Sequence, residues 1–249
     1  MSKRIQPIAI LPDTHAPYND VRHWRLLIKV LRDFKPHTVV HQGDWTDCYA
    51  ISRFSKDPMR KLRFEDELEL VKSQRTQIDL LEPKRKVFTE GNHEDRWPRY
   101  IFEKAPEAAG VIPSMDELLK MSENGWEYVP YRQHTQVGKC YFTHDVGNGG
   151  KYPTAGALDV FQTSVCVAHH HRMQYFVMGD ATGDVKLGAS FGWLGDINEV
   201  DYMHQIKVRK LWAPGFGLGY HDTKTDAIHT FPVPIVDNRC VVEGKVYEV

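Results

Sequence analysis

The chain has almost no net charge. Its 32 Lys and Arg offset 33 Asp and Glu, leaving a formal charge of −1 at pH 7. Proteins that grip nucleic acid through one broad electrostatic face carry a basic excess. No excess shows in this total, although a local patch can hide inside a neutral sum. Cysteine is scarce as well, four in 249 residues. No two have C-x-x-C spacing, which excludes a zinc ribbon or a thioredoxin-type site. Cys48, Cys140, Cys166 and Cys240 each stand beside apolar or aromatic residues, so buried free thiols are expected. Long apolar runs are missing. Ile8–Leu11, after a basic start, is too short for the core of a signal peptide, and nothing approaches the roughly 20 apolar residues of a membrane-spanning helix. A reducing, cytoplasmic setting is therefore expected. There is no internal repeat, low-complexity tract or evident linker. What remains, 26% charged and 41% hydrophobic residues, is an ordinary globular composition long enough for one large domain or two small ones.

What the chain has in quantity is histidine, thirteen residues, the commonest metal ligand and the commonest acid–base group. Their positions follow the predicted elements. Gln6–Leu11 reads as a buried strand. Val21, Trp24, Leu27, Ile28, Leu31 and Phe34 recur at helical spacing behind a cap at Asn19 or Asp20. Thr38–His41 is a second strand. A helix is expected over Glu65–Leu81, stopped by Pro83, and a third strand over Lys86–Thr89. Ser114-Met-Asp-Glu117 has the form of a capping box. Lys139–Thr143 and Thr163–Ala168 are further β-rich runs. The last third, with turn signals at Thr182-Gly183, Pro214-Gly215 and Glu243-Gly244, reads as antiparallel strands and hairpins. Alternating β and α followed by mostly β suggests a sandwich with sheets inside and helices outside.

Each of the five strands named before the last third ends in groups that bind metal or carry protons. In order these are Asp13-Thr-His15, Gly43-Asp44-Trp-Thr-Asp47, Gly91-Asn92-His93-Glu94, His144-Asp145 and His169-His170-His171. Sites in open α/β sheets gather at the carboxyl ends of strands, so these segments are expected to converge on one cleft. Residues two apart in extended chain point the same way. That would let Asp13 and His15 grip one ion, and His169 and His171 two neighbouring ones. His170 then points away. His23, His37, His41, His134, His204, His221 and His229 fall in no such motif. Nitrogen and oxygen donors without thiolate suit Mn, Fe, Zn, Co or Ni better than Mg or Ca. Two ions about 3.5–4 Å apart would acidify a shared water and clamp a phosphate.

In this order the motifs resemble those of the calcineurin-like metallophosphoesterase superfamily, D-x-H, G-D-x-x-D, G-N-H-D/E, a lone histidine and G-H-x-H, and most closely phosphoesterases of bacteria and their phages. The resemblance implies a single domain over residues 1–249, an α/β four-layer α/β/β/α sandwich with two central mixed β-sheets. Helical insertions are expected at about 48–83 and 95–136. It also implies two divalent transition-metal ions, manganese first. Asp13, His15 and His171 would hold one, Asn92, His144 and His169 the other, and Asp44 would bridge. A metal-bridging hydroxide would attack the phosphate ester. His93 and Glu94 would be catalytic, His93 touching the phosphate and Glu94 orienting His93. Asn92 and Arg96 would contact substrate, and Asp47 would support the ligands. A phage protein of this kind would act in the host cytoplasm.

Two departures from the pattern bear on substrate. Ala168 replaces the usual glycine before His169, which implies that the position does not need a left-handed backbone. Cys48-Tyr49 follows Asp47 where protein Ser/Thr phosphatases carry an arginine that grips the monoester. That absence favours a phosphodiesterase, with a nucleic acid or nucleotide as substrate, over a phosphomonoesterase or phosphoprotein phosphatase, unless Arg53 or Arg96 reaches in from another loop. Tyr49, Arg53, Phe54, Lys56, Arg60, Trp97, Arg99 and Tyr100 lie in the expected insertions, either stacking bases and pairing phosphates or forming a helical cap. Gly147–Gly150 is either a mobile loop or a plain turn, and Trp193–Asp196 is a candidate neighbour of the cleft. A metal-binding scaffold without catalysis is the alternative of another class. It is disfavoured by the presence of all seven ligands and His93.

Overall fold

The computed structural model describes residues 4–57, 59–199 and 211–249; His204 lies outside them. A parallel core is laid down first. β1 (Ile5–Leu11), β2 (Thr38–His41) and β3 (Arg85–Thr89) pair side by side in parallel, with Ile10 opposite Val40 and Val40 opposite Val87. The two connections run through α1 (Val21–Phe34) and α2 (Phe64–Asp79). Asp20 caps α1 by accepting from the amides of Arg22 (2.8 Å) and His23 (3.4 Å), and Lys35 closes it in the left-handed conformation. Then come α3 (Arg96–Lys104), α4 (Met115–Leu119) and β4 (Glu127–Val129), which joins β3 in parallel. The other flank is completed from the far end of the chain. β10 (Gly215–Asp222) pairs antiparallel with β1, and β11 (Ala227–Pro234) with β10, giving six strands in the order β11-β10-β1-β2-β3-β4.

The second sheet holds β5 (Thr135–Val137), β6 (Cys140–Phe142), β7 (Val165–Cys166), β9 (Val185–Phe191) and β8 (Met173–Gly179), in that order. β6 and β7 are parallel, as are β7 and β9. Period-two alternation sorts the side chains into layers. Ile8, Ile10, Val40 and Val87 face the second sheet and pack on Phe142, Cys166, Leu187 and Phe191. Their neighbours Ala9, Leu11, Val39 and Phe88 face outward to Trp24, Leu27 and Leu31 of α1 and to Leu68, Val71 and Ile78 of α2. On the far side of the second sheet, α5 (Pro153–Phe161) lays Ala157 and Leu158 on Val165 and Val167. The result is the expected four layers around two mixed sheets. A hairpin of β12 (Arg239–Val242) and β13 (Lys245–Glu248) closes on α1, with Tyr247 donating to Asp33 at 3.0 Å.

The expected insertions are less separate than the sequence suggests. Within 48–83, a 3₁₀ turn at Tyr49–Ile51 leads to α2, whose apolar face belongs to the main core. The stretch 95–136 is not wholly helical, since it contains β4 of the first sheet and the start of β5. Ser114 forms the anticipated capping box with Glu117. The short α5 lies where no helix was read. Its weak amphipathicity left no periodic signal, and it forms by covering the outer face of the second sheet. Among the described residues no helix is long and apolar enough to cross a membrane.

Phe142 is fully buried between the sheets. Phe142→Ala is expected to lower unfolding stability by about 3–5 kcal/mol, read as a fall in the urea midpoint at unchanged m-value.

Candidate metal centre

Parallel strands end on the same side, so the loops after β1, β2 and β3 meet those after β6 and β7. The joint is locked by backbone. The amides of Thr14 and His15 both donate to the Asp44 carbonyl, at 2.9 and 2.8 Å, and Ala16 donates to Trp45 at 2.7 Å. Gln42 stitches the two sheets together, its Nε2 donating to the carbonyls of Cys166 (2.8 Å) and Thr143 (3.3 Å). The approach of the second and third loops is close enough to require glycine. A Cβ on Gly91 would lie 2.1 Å from Asp44 Oδ1, and one on Gly43, at φ +92°, 2.7 Å from Gly91 N.

The ligands are not aligned by extended chain as anticipated. His15, Asp44, His169 and His171 all take left-handed φ values of 54°, 48°, 67° and 55°. Non-glycine residues avoid that region, at a cost of order 1–3 kcal/mol each, and such residues cluster at functional sites. The strand therefore turns sharply at the ligand, and the turn, not the pleat, aims it. Ala168 does not share this conformation, which falls on His169 instead.

Six of the seven expected ligands, with His93, form three groups whose donor atoms lie within 4.8 Å of one another: Asp13, His15 and His171; His15, Asp44 and His93; and Asp44, His144 and His169. Asn92, the seventh, places Oδ1 3.0 Å from His144 Nε2, and Asp44 Oδ2 stands 3.3 Å from the same nitrogen. The far nitrogens fix two of the rings, while His171 Nδ1 has no hydrogen-bond partner. His144 Nδ1 donates to the Gln42 carbonyl at 2.8 Å, and His15 Nδ1 to Asp47 Oδ2 at 3.1 Å. Neutral rings so held turn their Nε2 lone pairs inward. There His15 Nε2 lies 2.9 Å from His171 Nε2. Asp13 Oδ2, fully buried and 2.8 Å from His171 Nε2, takes part in no hydrogen bond. Acceptors crowded together in a buried place are unfavourable unless a cation sits among them. The donor set fits divalent transition metals.

Electrostatics agree with a cation site. Burial opposes ionisation of Asp44, yet the His144 and His93 rings hold it well below the usual carboxylate range. Asp13 is likewise lowered, against its burial, by His171. Burial pushes His171 down to about 4 and lowers His169 as well. His144 is the reverse case. Burial works against its charge, but Asp44 and then Asp13 draw a proton to it and raise it to about 10. A metal ion between the same groups would take that proton's place.

The remaining expected site residues separate into two roles. His93 Nδ1 donates to the Asp47 carbonyl at 2.8 Å, with the Asp47 carboxylate at 3.4 Å and Asp44 Oδ2 at 3.8 Å from Nε2. Arg96 donates to the Asp47 carbonyl at 2.8 Å and stands 3.1 Å from His93 Nε2. Asp47 thus orients both His15 and His93. Glu94 does not orient the His93 ring as expected. Its carboxylate is fully buried and accepts from the amides of Asp44, Gly91 and Thr46, each at 2.9 Å, so it braces the two ligand loops. Burial, reinforced by Asp44, pushes it up to about 8.

Several positioning residues escaped the sequence reading. Glu67, from α2, accepts from Thr46 Oγ1 and the amides of Tyr49 and Ala50, each at 3.2 Å, and burial raises it to about 7. Trp193 stacks on the His171 ring (4.9 Å, 12°), and Trp212 meets the same ring edge-on at 4.1 Å. The neighbour expected at 193–196 is therefore present. Glu67 sits among the ordinary acids of the first turn of α2, so neither it nor Gln42 or Trp212 carries a sequence signal. Beyond His93 the centre opens into a cleft of about 630 Å³ walled by Tyr18, Tyr49, Phe54, Arg60 and Arg96.

Known proteins identify the family. The Gene 54 protein of Mycobacterium phage L5 is 28% identical over 271 aligned residues, covering all of both chains, and that of phage D29 is 27% identical over the same span. Vps29 of Chaetomium thermophilum superposes with a TM-score of 0.50 over 98% of each chain at 12% identity, a likeness of fold alone. Residues 6–230 match the calcineurin-like phosphoesterase family, and the chain belongs to that family.

Proposed function

We propose that this phosphoesterase hydrolyses phosphodiesters at a dinuclear metal centre. Asp13, His15 and His171 would hold one ion, Asn92, His144 and His169 the other, and Asp44 would serve both. The observation that carries the reading is the buried Asp13 oxygen without a hydrogen-bond partner beside the facing His15 and His171 nitrogens, metal-donor atoms that one cation between them would satisfy together. Manganese is the first candidate, with Fe, Zn, Ni and Co compatible with the same donors. Ions there would lower the pKa of a bound water and neutralise charge on the phosphate.

The chain's own groups do the rest. With Nδ1 tied to Asp47, His93 presents Nε2 to the cluster and is placed to touch the phosphate and deliver a proton to the leaving oxygen. Arg96 pairs with a non-bridging phosphate oxygen, and Asn92 adds its amide. The open cleft beyond His93 leaves room for the second ester group of a diester, whether from a nucleotide or a nucleic acid. A monoesterase is the second reading, favoured by Arg96, whose guanidinium beside His93 supplies the positive charge missing after Asp47. Phage relatives and four free, buried thiols support action in the host cytoplasm.

The deciding comparison is bis-p-nitrophenyl phosphate against p-nitrophenyl phosphate after chelator treatment and reloading with Mn. Faster diester cleavage is expected, with kcat for His93→Ala down by about 10²–10⁴-fold. A faster monoester places the Arg96 reading first. In calorimetric titration of the stripped chain with Mn, two binding events are expected. Asp13→Asn should weaken one and Asp44→Asn both. Saturation at a hundred times Kd should stabilise the fold by about 2.7 kcal/mol for each ion bound. A single event unaffected by either substitution would sink the dinuclear assignment.

A further inference from the structure

The neutral total of the chain conceals one strongly basic groove, and it opens directly off the catalytic cleft. A second cavity of about 360 Å³ is lined by Arg53, Lys56, Arg96, Arg99 and Lys104, against the single carboxylate of Glu103. It shares Ser52 and Arg96 with the cleft beyond His93. The arrangement comes from α3. Arg96, Arg99, Tyr100, Glu103 and Lys104 stand at spacings of 3, 4, 7 and 8 residues, which puts them on one helical face. That helix begins two residues after Glu94, so the stripe starts at the metal centre and leads away from it for about 12 Å at 1.5 Å per residue. Arg53 and Lys56, both exposed, face it from the loop after the 3₁₀ turn.

We propose that this groove holds the phosphates flanking the scissile one, and that the substrate is a single-stranded nucleic acid. The inference rests on the phosphodiesterase reading above and deepens it. A lone phosphate ester needs only Arg96 and the metals; four further cations beside the cleft have no use in binding it. Charges in a nucleic-acid strand recur about every 3.4 Å of axis even when the bases are stacked, so a 12 Å stripe spans more than one. The existing partners do not oppose the role. Arg99 pairs with Asp95 and Lys104 with Glu103 at the surface, and exposed pairs of this kind contribute about 0–1 kcal/mol, easily exchanged for phosphate. Aromatic faces argue for unpaired bases. Tyr100 is 39% exposed on the stripe, and Phe54 is 72% exposed at the wall of the catalytic cleft. Tyr100 is backed by Trp97, parallel within 10°. A basic track with exposed aromatic rings binds bases released from a duplex.

The test is fluorescence anisotropy with a labelled twelve-residue oligothymidylate, using the metal-loaded full chain carrying His93→Ala, the probe being verified intact on a gel. Raised salt should weaken binding, log K falling linearly with log salt. Combining Arg53→Gln, Lys56→Gln and Arg99→Gln should raise Kd at least tenfold and reduce the salt slope by about 2, since each of the three cations removed accounts for about 0.7. Arg53→Lys with Arg99→Lys should retain the slope, and Tyr100→Ala should weaken binding by at least about fivefold. An unchanged slope in the triple variant, no binding at all, or tighter binding of the same sequence as a duplex would overturn the proposal. Cleavage of bis-p-nitrophenyl phosphate by the otherwise native chain is measured separately. Normal diester cleavage without oligonucleotide binding removes the groove assignment alone. Binding without cleavage of any diester removes the phosphodiesterase reading and leaves the groove.

Discussion

Two carboxylates out of water set the terms for this molecule. Asp13 and Asp44 are 0% and 1% exposed and lie in adjoining groups of donors that share His15, with His15, His144 and His171 no more than 4% exposed. Buried anions are costly unless paired and hydrogen-bonded. Backbone supplies part of the compensation, through the His169 amide on Asp13 Oδ1 (3.1 Å) and the His93 amide on Asp44 Oδ1 (2.9 Å). Each carboxylate thus has one oxygen held by the chain and the other directed to the histidines. That division of labour is what makes the cluster a cation site and not a mere polar core. The parallel sheets, the stitching by Gln42 and the glycines at 43 and 91 all serve to bring the two anions to the same place.

Around this centre lies a ring of acids that hold the ligands and their loops from behind. Glu94 collects three loop amides, Glu67 two amides and a hydroxyl, and Asp47 the rings of His15 and His93. Their effect is rigidity. Loops carrying four left-handed non-glycine residues would relax without such ties, and ligands held within tenths of an ångström depend on a supporting shell. Asp47 has a further consequence, because its carbonyl receives both His93 Nδ1 and Arg96. One residue therefore fixes the distance between the His93 ring and the Arg96 guanidinium.

Much of this was legible in the sequence because the information is local. Strand ends followed by Asp13, Asp44, Asn92, His144 and His169 locate the centre once parallel pairing is assumed, short apolar runs give β1, β2 and β3, and the period-3.6 pattern gives α1. Three kinds of information were not local. The left-handed turns at His15 and His171 are imposed by the meeting of five loops, not by residue type. Glu94 looked like a partner of the adjacent His93, but three amides from two loops outcompete that one ring. The helix α5 and the strand β4 exist because sheet faces and edges need covering, which no periodicity records.

Arg96 is where the separate lines meet. It opens α3, borders both cavities, and hydrogen-bonds the residue that orients His93. In a chain with net charge −1, cations gathered on one helical face beside a phosphate-binding centre are concentrated rather than abundant. On the proposed reading, such concentration would favour release of products, since a wholly basic surface would bind nucleic acid everywhere at low salt. It also explains why the missing arginine after Asp47 is a weak guide to substrate. The positive charge stands on a helix and not on that loop, and on the proposed reading it would serve the reacting phosphate and its neighbour along a strand at once.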